Sequence, residues 1–328
     1  DGPHTSSKAL GISRDGHTAV GETLVVKVNH AWRCDVDWIM GTTEQPPLYN
    51  ELFVQEDLGI VAPAYPTAAY AASDMVNNAP GENCSTYDKL SFELDWCGST
   101  VVGAWDAKTV SYGVQWLSAA NASYPSGDYV QIADFGGGIS EMKVKDVSQD
   151  GNTMVGYGHN RRGPLAFRIN SLVLNSDSLP ILRTLSIVDA NTKQTLQTSK
   201  ATAVSEDGTI IAGTGYVKSG SRPFVTTVLS ENDTALEYES TILPMIGGGK
   251  YAECSAVTPD GRFIAGRCDS PKGPQACIWY KNSTDTDEWF VKGLGGLAEK
   301  IVDSTATGIV NKWNSTSGVD DLMVVGFS

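Results

Sequence analysis

The sequence predicts an all-β protein: one β-propeller domain over residues 1–328, with six blades (seven as the alternative), each a four-stranded antiparallel sheet. Three observations predict it. First, one short pattern returns: an apolar residue, Ser or Thr, any residue, Asp-Gly, then a run ending in Gly. Its copies are Ile12-Ser13-Arg14-Asp15-Gly16 to Gly21, Val147-Ser148-Gln149-Asp150-Gly151 to Gly156, Val204-Ser205-Glu206-Asp207-Gly208 to Gly213, and Val257-Thr258-Pro259-Asp260-Gly261 to Gly266. Second, the turn glycines 151, 208 and 261 are 57 and 53 residues apart, the spacing of a repeat rather than of chance. Third, each of the first five hairpins is followed by two further β-prone runs, so a period holds four strands. Asp-Gly between such runs is a hairpin signal, because Gly takes positive φ without a Cβ clash.

The elements follow in order. In the first blade the hairpin ends at Gly21 and His30-Ala31-Trp32-Arg33-Cys34 is the third strand. Residues of about 60–90, with the Ala-rich stretch Ala64 to Asp74, read as an inserted loop carrying a short helix. The second hairpin is degenerate, Leu90 to Gly103 with Cys97-Gly98 at its turn, and Val130-Gln131-Ile132 leads into Gly136-Gly137-Gly138 as its fourth strand. Third strands of the next three blades are Leu165-Ala166-Phe167-Arg168-Ile169, Pro223-Phe224-Val225 and Ala276-Cys277-Ile278-Trp279-Tyr280. Trp289-Phe290-Val291-Lys292 running to Gly295-Gly296 is a fourth strand. The sixth hairpin, Ala306–Val310 with Leu322–Gly326, has a long turn, and N-terminal residues are expected to help close its blade.

The repeat resembles the HAF-type extracellular repeat, whose third strand reads His-Ala-Phe. His30-Ala31-Trp32 comes nearest, and Leu165-Ala166-Phe167 keeps two of the three residues. The resemblance covers most of the chain. It implies a secreted propeller and carries no activity, so function must be argued from the site.

Composition agrees with that expectation. At 41% hydrophobic, the chain can bury a sizeable core, and no apolar run of about 18 residues spans a membrane. Asp1 and the polar residues after it read as the start of a processed secreted protein, so an extracellular location is expected. Sequons at Asn83, Asn121, Asn232, Asn282 and Asn314 exceed the roughly two or three that chance leaves. The six cysteines read as disulfides. Cys254 and Cys268 stand equally far from the Asp260-Gly261 turn, so they are expected to face each other, with Cys277 as the other partner open to Cys268. Cys84–Cys97 is the simplest second pair, which leaves Cys34. No zinc spacing occurs, and no cofactor is called for; a structural calcium ion is compatible with the composition.

Net charge is −14, which argues against nucleic acid and anionic membranes as partners. Its distribution points elsewhere. The turns between second and third strands and the crossovers between blades share one face of a propeller. Windows assigned to that face hold 15 Lys and Arg against 11 Asp and Glu, while the remainder holds 9 against 27. Turn acids such as Asp150, Glu206, Asp207, Asp260, Asp320 and Asp321 fall in the remainder. A cationic rim on an acidic body focuses an anionic ligand.

The rim residues suit a uronic-acid polymer. Tyr157-Gly158-His159-Asn160-Arg161-Arg162 is the densest element, joined by Tyr216, Lys218 and Arg222, by Lys143, Lys250 and Tyr251, and by His30. Arginine forks bind carboxylates bidentately, and a nearby His and Tyr exchange protons. The expected activity is cleavage of an acidic polysaccharide by β-elimination by a monomeric protein, with His159 as base and Tyr157, Tyr216 or Tyr251 as acid. This is similar to propeller-fold polysaccharide lyases that work with His, Tyr and Arg. Two alternatives stand beside it. One is a glycan-binding propeller without turnover, akin to a lectin or adhesin. The other is a glycoside hydrolase using two of Glu141, Glu253 and Glu299.

Overall fold

The computed structural model describes residues 6–14, 18–25, 27–35, 54–59, 66–73, 100–107, 110–116, 129–132, 141–176, 180–281, 288–296, 303–314 and 319–328. Two compact units divide the chain, residues 1–134 with 140–151 and residues 135–139 with 152–328.

The first unit holds two sheets. β1 (Ser7–Ile12), β2 (Thr18–Val25), β3 (Val28–Asp35) and β4 (Val54–Gly59) lie side by side in chain order. So do β5 (Thr67–Ala72), β6 (Val101–Ala107), β7 (Val110–Trp116) and β8 (Tyr129–Gln131), against which β9 (Met142–Val147) packs. The second unit continues with β10 (Thr153–Asn160), β11 (Gly163–Leu174) and β12 (Pro180–Thr184), adjacent in that order. Its next sheets are β13 (Thr198–Val204), β14 (Ile210–Val217), β15 (Gly220–Glu231) and β16 (Leu236–Ile242), then β17 (Ala252–Val257), β18 (Phe263–Ser270), β19 (Gly273–Lys281) and β20 (Trp289–Gly295). Among the described residues, β21 (Thr305–Asn314) and β22 (Val319–Phe327) pair only with each other.

The protein is therefore all-β, with five antiparallel blades of propeller type rather than six or seven. The sixth hairpin stays a pair among the described residues. The N-terminal strand does not complete it, because β1 is hydrogen-bonded to β2 in the first blade.

The repeated motif has a physical role at each of its positions. Ser148, Ser205 and Thr258 are buried. Each hydroxyl donates to the motif Asp, at 2.5 Å to Asp150, 2.6 Å to Asp207 and 2.7 Å to Asp260. The same oxygen accepts the N–H five residues on, from Ile210 to Ser205 and from Phe263 to Thr258. Gly151, Gly208 and Gly261 close the turn at φ 74°, 73° and 71°, a conformation costly for any residue with a Cβ.

The glycine that ends the second strand seats a bulge. Gly21, Gly103, Gly213, Gly266 and Gly326 face Ala9, Ala69, Ala201, Cys254 and Ala306, and the first strand bulges immediately after each. A Cβ at Gly213 would meet the Lys200 carbonyl oxygen at 2.3 Å, so only glycine admits this approach.

A latch joins successive blades within each unit. The N–H of Ala31 donates to Thr67, that of Ala166 to Ser199, and that of Ala276 to Ser304. Pro223 holds the same place on β15, has no N–H, and faces a blade whose matching residue is Ala252. Donor and acceptor are absent together there. Ser221 takes over, its hydroxyl donating to the Ala252 carbonyl and accepting the Ala252 N–H.

Three expectations need correction. Residues 67–72 are a strand, not part of an inserted loop: β5 is the first strand of the second blade. Ser73 and Thr100 close its hairpin, with Thr100 N–H donating to the Ser73 hydroxyl at 2.8 Å. The strand paired with β6 is thus β5 rather than Leu90–Trp96, which lies outside the described residues. The Cys254–Cys268 disulfide is absent. The bulge after Cys254 shifts the register, so Cys254 faces Gly266 while Cys268 faces Ala252.

Cys34 is buried, and Cys254, Cys268 and Cys277 are free, buried thiols. The last three share one core with Ile264, Trp279 and Leu243. Cys268 and Cys277 hydrogen-bond each other, and Cys268 also accepts the Ile246 N–H at 3.3 Å. Burial pushes the Cys254 and Cys277 thiols up, which keeps both protonated and inert. Cys84 and Cys97 lie outside the described residues.

Candidate functional site

The second unit gathers most of the expected residues at one end of its blades. Tyr157 and His159 stand two apart on β10, on one side of the strand, with ring centroids 6.2 Å apart and planes tilted by 59°. Tyr216 is half-buried on β14. Lys200, on β13, bridges them: its ammonium lies 4.6 Å from the Tyr157 ring centroid and 6.0 Å from that of Tyr216. Burial, and then the charge of Glu253 on β17, raises the Tyr216 phenol above its ordinary value. Tyr216 therefore stays protonated through the physiological range.

The arginines sit on the turns above. Arg161 and Arg162 are exposed between β10 and β11, where the Arg162 N–H donates to the Asn160 side-chain oxygen at 2.7 Å. Gly163, which ends that turn, leans on Thr198 at the start of β13. Lys218 is exposed on the next turn, and Gly220 leans on the Lys250 carbonyl in the same way. One Arg222 nitrogen donates to the Ser221 and Lys250 carbonyls, both at 2.9 Å, so this guanidinium also braces the backbone. Lys250 and Tyr251 are exposed, and their N–H groups donate to Asp269.

This end is less uniformly cationic than the sequence suggested. Glu253 is exposed beside Tyr216, Asp269 holds the segment 250–251, and Asp303 pairs with Arg267 at 2.7 Å. Lys200 was the residue missed, and Glu253, expected only as one of a carboxylate pair, stands instead beside Tyr216. The signal of Lys200 was a charged residue in the middle of a first strand whose neighbours, Ser199 and Ala201, are small and buried.

Lys143 and His30 belong to the other unit. Lys143 is engaged by Asp106 at 3.7 Å and Glu141 at 4.0 Å, and His30 is half-buried on β3. That unit repeats the lysine-on-tyrosine contact, with Lys145 lying 3.7 Å from the Tyr70 ring centroid. Glu141 and Glu253 fall in different units, and Glu299 lies outside the described residues.

Among the described residues no group of three or more His, Cys, Asp or Glu gathers to hold a metal ion. Of the sequons, Asn232 is exposed on a turn in which its side-chain oxygen accepts the N–H groups of Thr234 and Ala235. Asn83, Asn121 and Asn282, and the side chain of Asn314, lie outside the described residues.

No protein-family model matches the chain, and no curated protein does, so the HAF-type resemblance rests on its sequence motifs alone. Among solved structures the chain is similar to TolB from Acinetobacter baumannii, with 12% identity and a TM-score of 0.44. The match covers 85% of this chain and 52% of that one, so the chain spans about half the length of that relative.

Proposed function

We propose that the protein is extracellular, that its second unit binds a uronic-acid polysaccharide, and that it cleaves this polymer by β-elimination. The observation that carries the reading is the Lys200 ammonium held between Tyr157 and Tyr216, with His159 beside Tyr157. A lyase must first neutralise the sugar carboxylate, and Lys200 with Arg161 or Arg162 supplies the positive charge. His159 then takes the C5 proton. The C–H electron pair forms the C4=C5 double bond and the C4–O bond breaks. Tyr216, kept protonated by burial and by Glu253, gives its proton to the departing oxygen. Return of a proton from His159 to Tyr216 through solvent resets the site. The step needs no cofactor. Lys218, Arg222, Lys250 and Tyr251 bind flanking sugars, and Asn232 suits a glycan of the protein's own.

The test is the absorbance of an unsaturated uronate on incubation with pectic, glucuronan and rhamnoglucuronan substrates. Lys200→Met and His159→Ala are expected to lower kcat/KM by about 100-fold or more. Absence of absorbance on all three substrates overturns elimination. A second reading, glycan binding without turnover, is favoured by exposed Tyr251 beside Lys250, which offers a sugar-stacking surface. Saturable retention on immobilised uronate without absorbance would select it. The hydrolase reading draws on Glu141 and Glu253, which fall in different units, and on Glu299, which lies outside the described residues.

A further inference from the structure

The hairpins β10–β11, β14–β15 and β18–β19 of the second unit turn in the same way. Asn160 faces Gly163, Val217 faces Gly220 and Ser270 faces Gly273, so each turn has two residues and closes on a glycine, at φ 121°, 144° and 120°. Those two residues are Arg161-Arg162, Lys218-Ser219 and Pro271-Lys272, all exposed. Every one of these equivalent turns therefore carries a cation, whereas the turns that lead into β14 and β18 carry Asp207 and Asp260.

Backbone contacts make the three turns a continuous row. Gly163 abuts Thr198, which faces Tyr216 across the β13–β14 ladder, two residues before Lys218. Gly220 abuts the Lys250 carbonyl, which also accepts the Ser221 N–H at 3.1 Å. Just before Lys250, Gly247 abuts Pro271 and Gly249 abuts Asp269, at the base of the turn that carries Lys272. The row thus runs from Arg162 through Lys218 and Lys250 to Lys272, and Tyr157, His159 and Tyr216 lie toward its Arg162 end.

These cations are also unengaged. Among the described residues, the side chains of Arg161, Arg162, Lys218, Lys250 and Lys272 meet no carboxylate, whereas Arg168, Arg183, Arg262 and Arg267 elsewhere in the unit all do. Of the acids beside the row, Asp269 accepts the N–H groups of Lys250 and Tyr251, and Glu253 stands exposed by Tyr216. A row of exposed like charges is neutralised best by a chain that carries the opposite charge at intervals. Packed sheets lie about 10 Å apart, wider than one sugar ring, so neighbouring turns are reached by acidic groups on different sugars.

We propose that this row is a track for a long uronic-acid chain, whose carboxylates sit on Arg162, on Lys218 with Lys250, and on Lys272, while exposed Tyr251 stacks on a ring between them. The inference rests on the elimination reading for what happens at the Arg162 end. It adds that the site takes a polymer in preference to a short oligosaccharide.

The test is binding of fluorescent trisaccharides and dodecasaccharides, from pectic and from glucuronan chains, to the protein carrying His159→Ala, which slows cutting of the bound sugar. For at least one chain type the dodecasaccharide is expected to bind about tenfold tighter or more, because linked contacts act as intramolecular ones. The gap should close in about 1 M salt, where the screening length falls to about 3 Å. Lys272→Glu should weaken dodecasaccharide binding about threefold or more. Lys292→Glu, the same charge change on an exposed lysine of β20, should alter it by less than about twofold. No binding, equal affinity for the two lengths, a gap that persists in salt, or equal losses from the two glutamate variants overturns the track. None of these touches elimination, which is read separately from unsaturated-uronate absorbance with the wild-type protein. Length-dependent binding without that absorbance sinks elimination and leaves the track standing.

Discussion

Removing one buried hydroxyl, Ser205→Ala, tests the account of the repeat most directly. Ser205 is 1% exposed, and its oxygen accepts the Ile210 N–H at 2.8 Å while donating to Asp207 at 2.6 Å. Alanine leaves the Ile210 N–H without this acceptor, a loss of about 1–2 kcal/mol. Asp207 is exposed, so water replaces much of its lost bond, and that part is about 0.5 kcal/mol. The expected cost is therefore about 1.5–2.5 kcal/mol, localised to β13 and β14. The pH dependence has a definite sign. Burial raises the Asp207 carboxyl, but hydrogen bonds from Ser205 and Thr209 outweigh it and hold the group below the ordinary carboxylate range. Stability from this source is present above the unfolded value of about 3.9 and is lost as pH falls through the lower folded value. The deficit of the variant should thus be largest near neutral pH and narrow in acid, below the ordinary carboxylate range. Urea-dependent hydrogen exchange of the segment 198–217 at both pH values measures it. Ser205→Thr should be close to neutral, because Thr258 does the same work in the next blade. A cost under about 0.5 kcal/mol for the alanine variant, or equal costs for alanine and threonine, would refute the assigned role.

Two other expectations concern buried charge and sulfur. Arg168 and Glu231 meet at 3.0 Å with side chains 6% and 5% exposed, and Arg168 also donates to the Gly208 carbonyl. Glu231→Ala should cost about 3–5 kcal/mol in thermal or urea unfolding, because it strands a buried guanidinium. Asp303→Ala, which frees the exposed Arg267, should cost under about 1 kcal/mol; comparable costs for the two would contradict the burial argument. Cys34, Cys254, Cys268 and Cys277 should resist a thiol reagent in the native protein and all react once it is unfolded without reductant. A Cys254–Cys268 disulfide found by peptide mass mapping would overturn the bulged register.

The sequence by itself determined the strand content and the repeat. Asp-Gly turns and period-two apolar runs are local properties, so the hairpins at Asp150, Asp207 and Asp260 and the third strands at Phe167, Phe224 and Trp279 were legible. Tyr157, His159 and Tyr216 were legible as polar residues beside turns. Thr67–Ala72 was not, because a run of alanines becomes a strand only by burial between neighbours, and its turn has lost the Asp-Gly signal.

Tertiary structure decided the rest. One extra residue after Cys254 turns a facing cysteine pair into an offset one, and a bulge of one residue leaves no mark in composition. Lys200 gained its meaning only when folding set it between two tyrosines that are 43 and 16 residues away in sequence. The blade count likewise depended on which strand hydrogen-bonds to which: β1 joins β2, and among the described residues β22 pairs with β21 alone. Local preferences write the strands, but pairing is a contest between distant segments, and only the folded chain settles it.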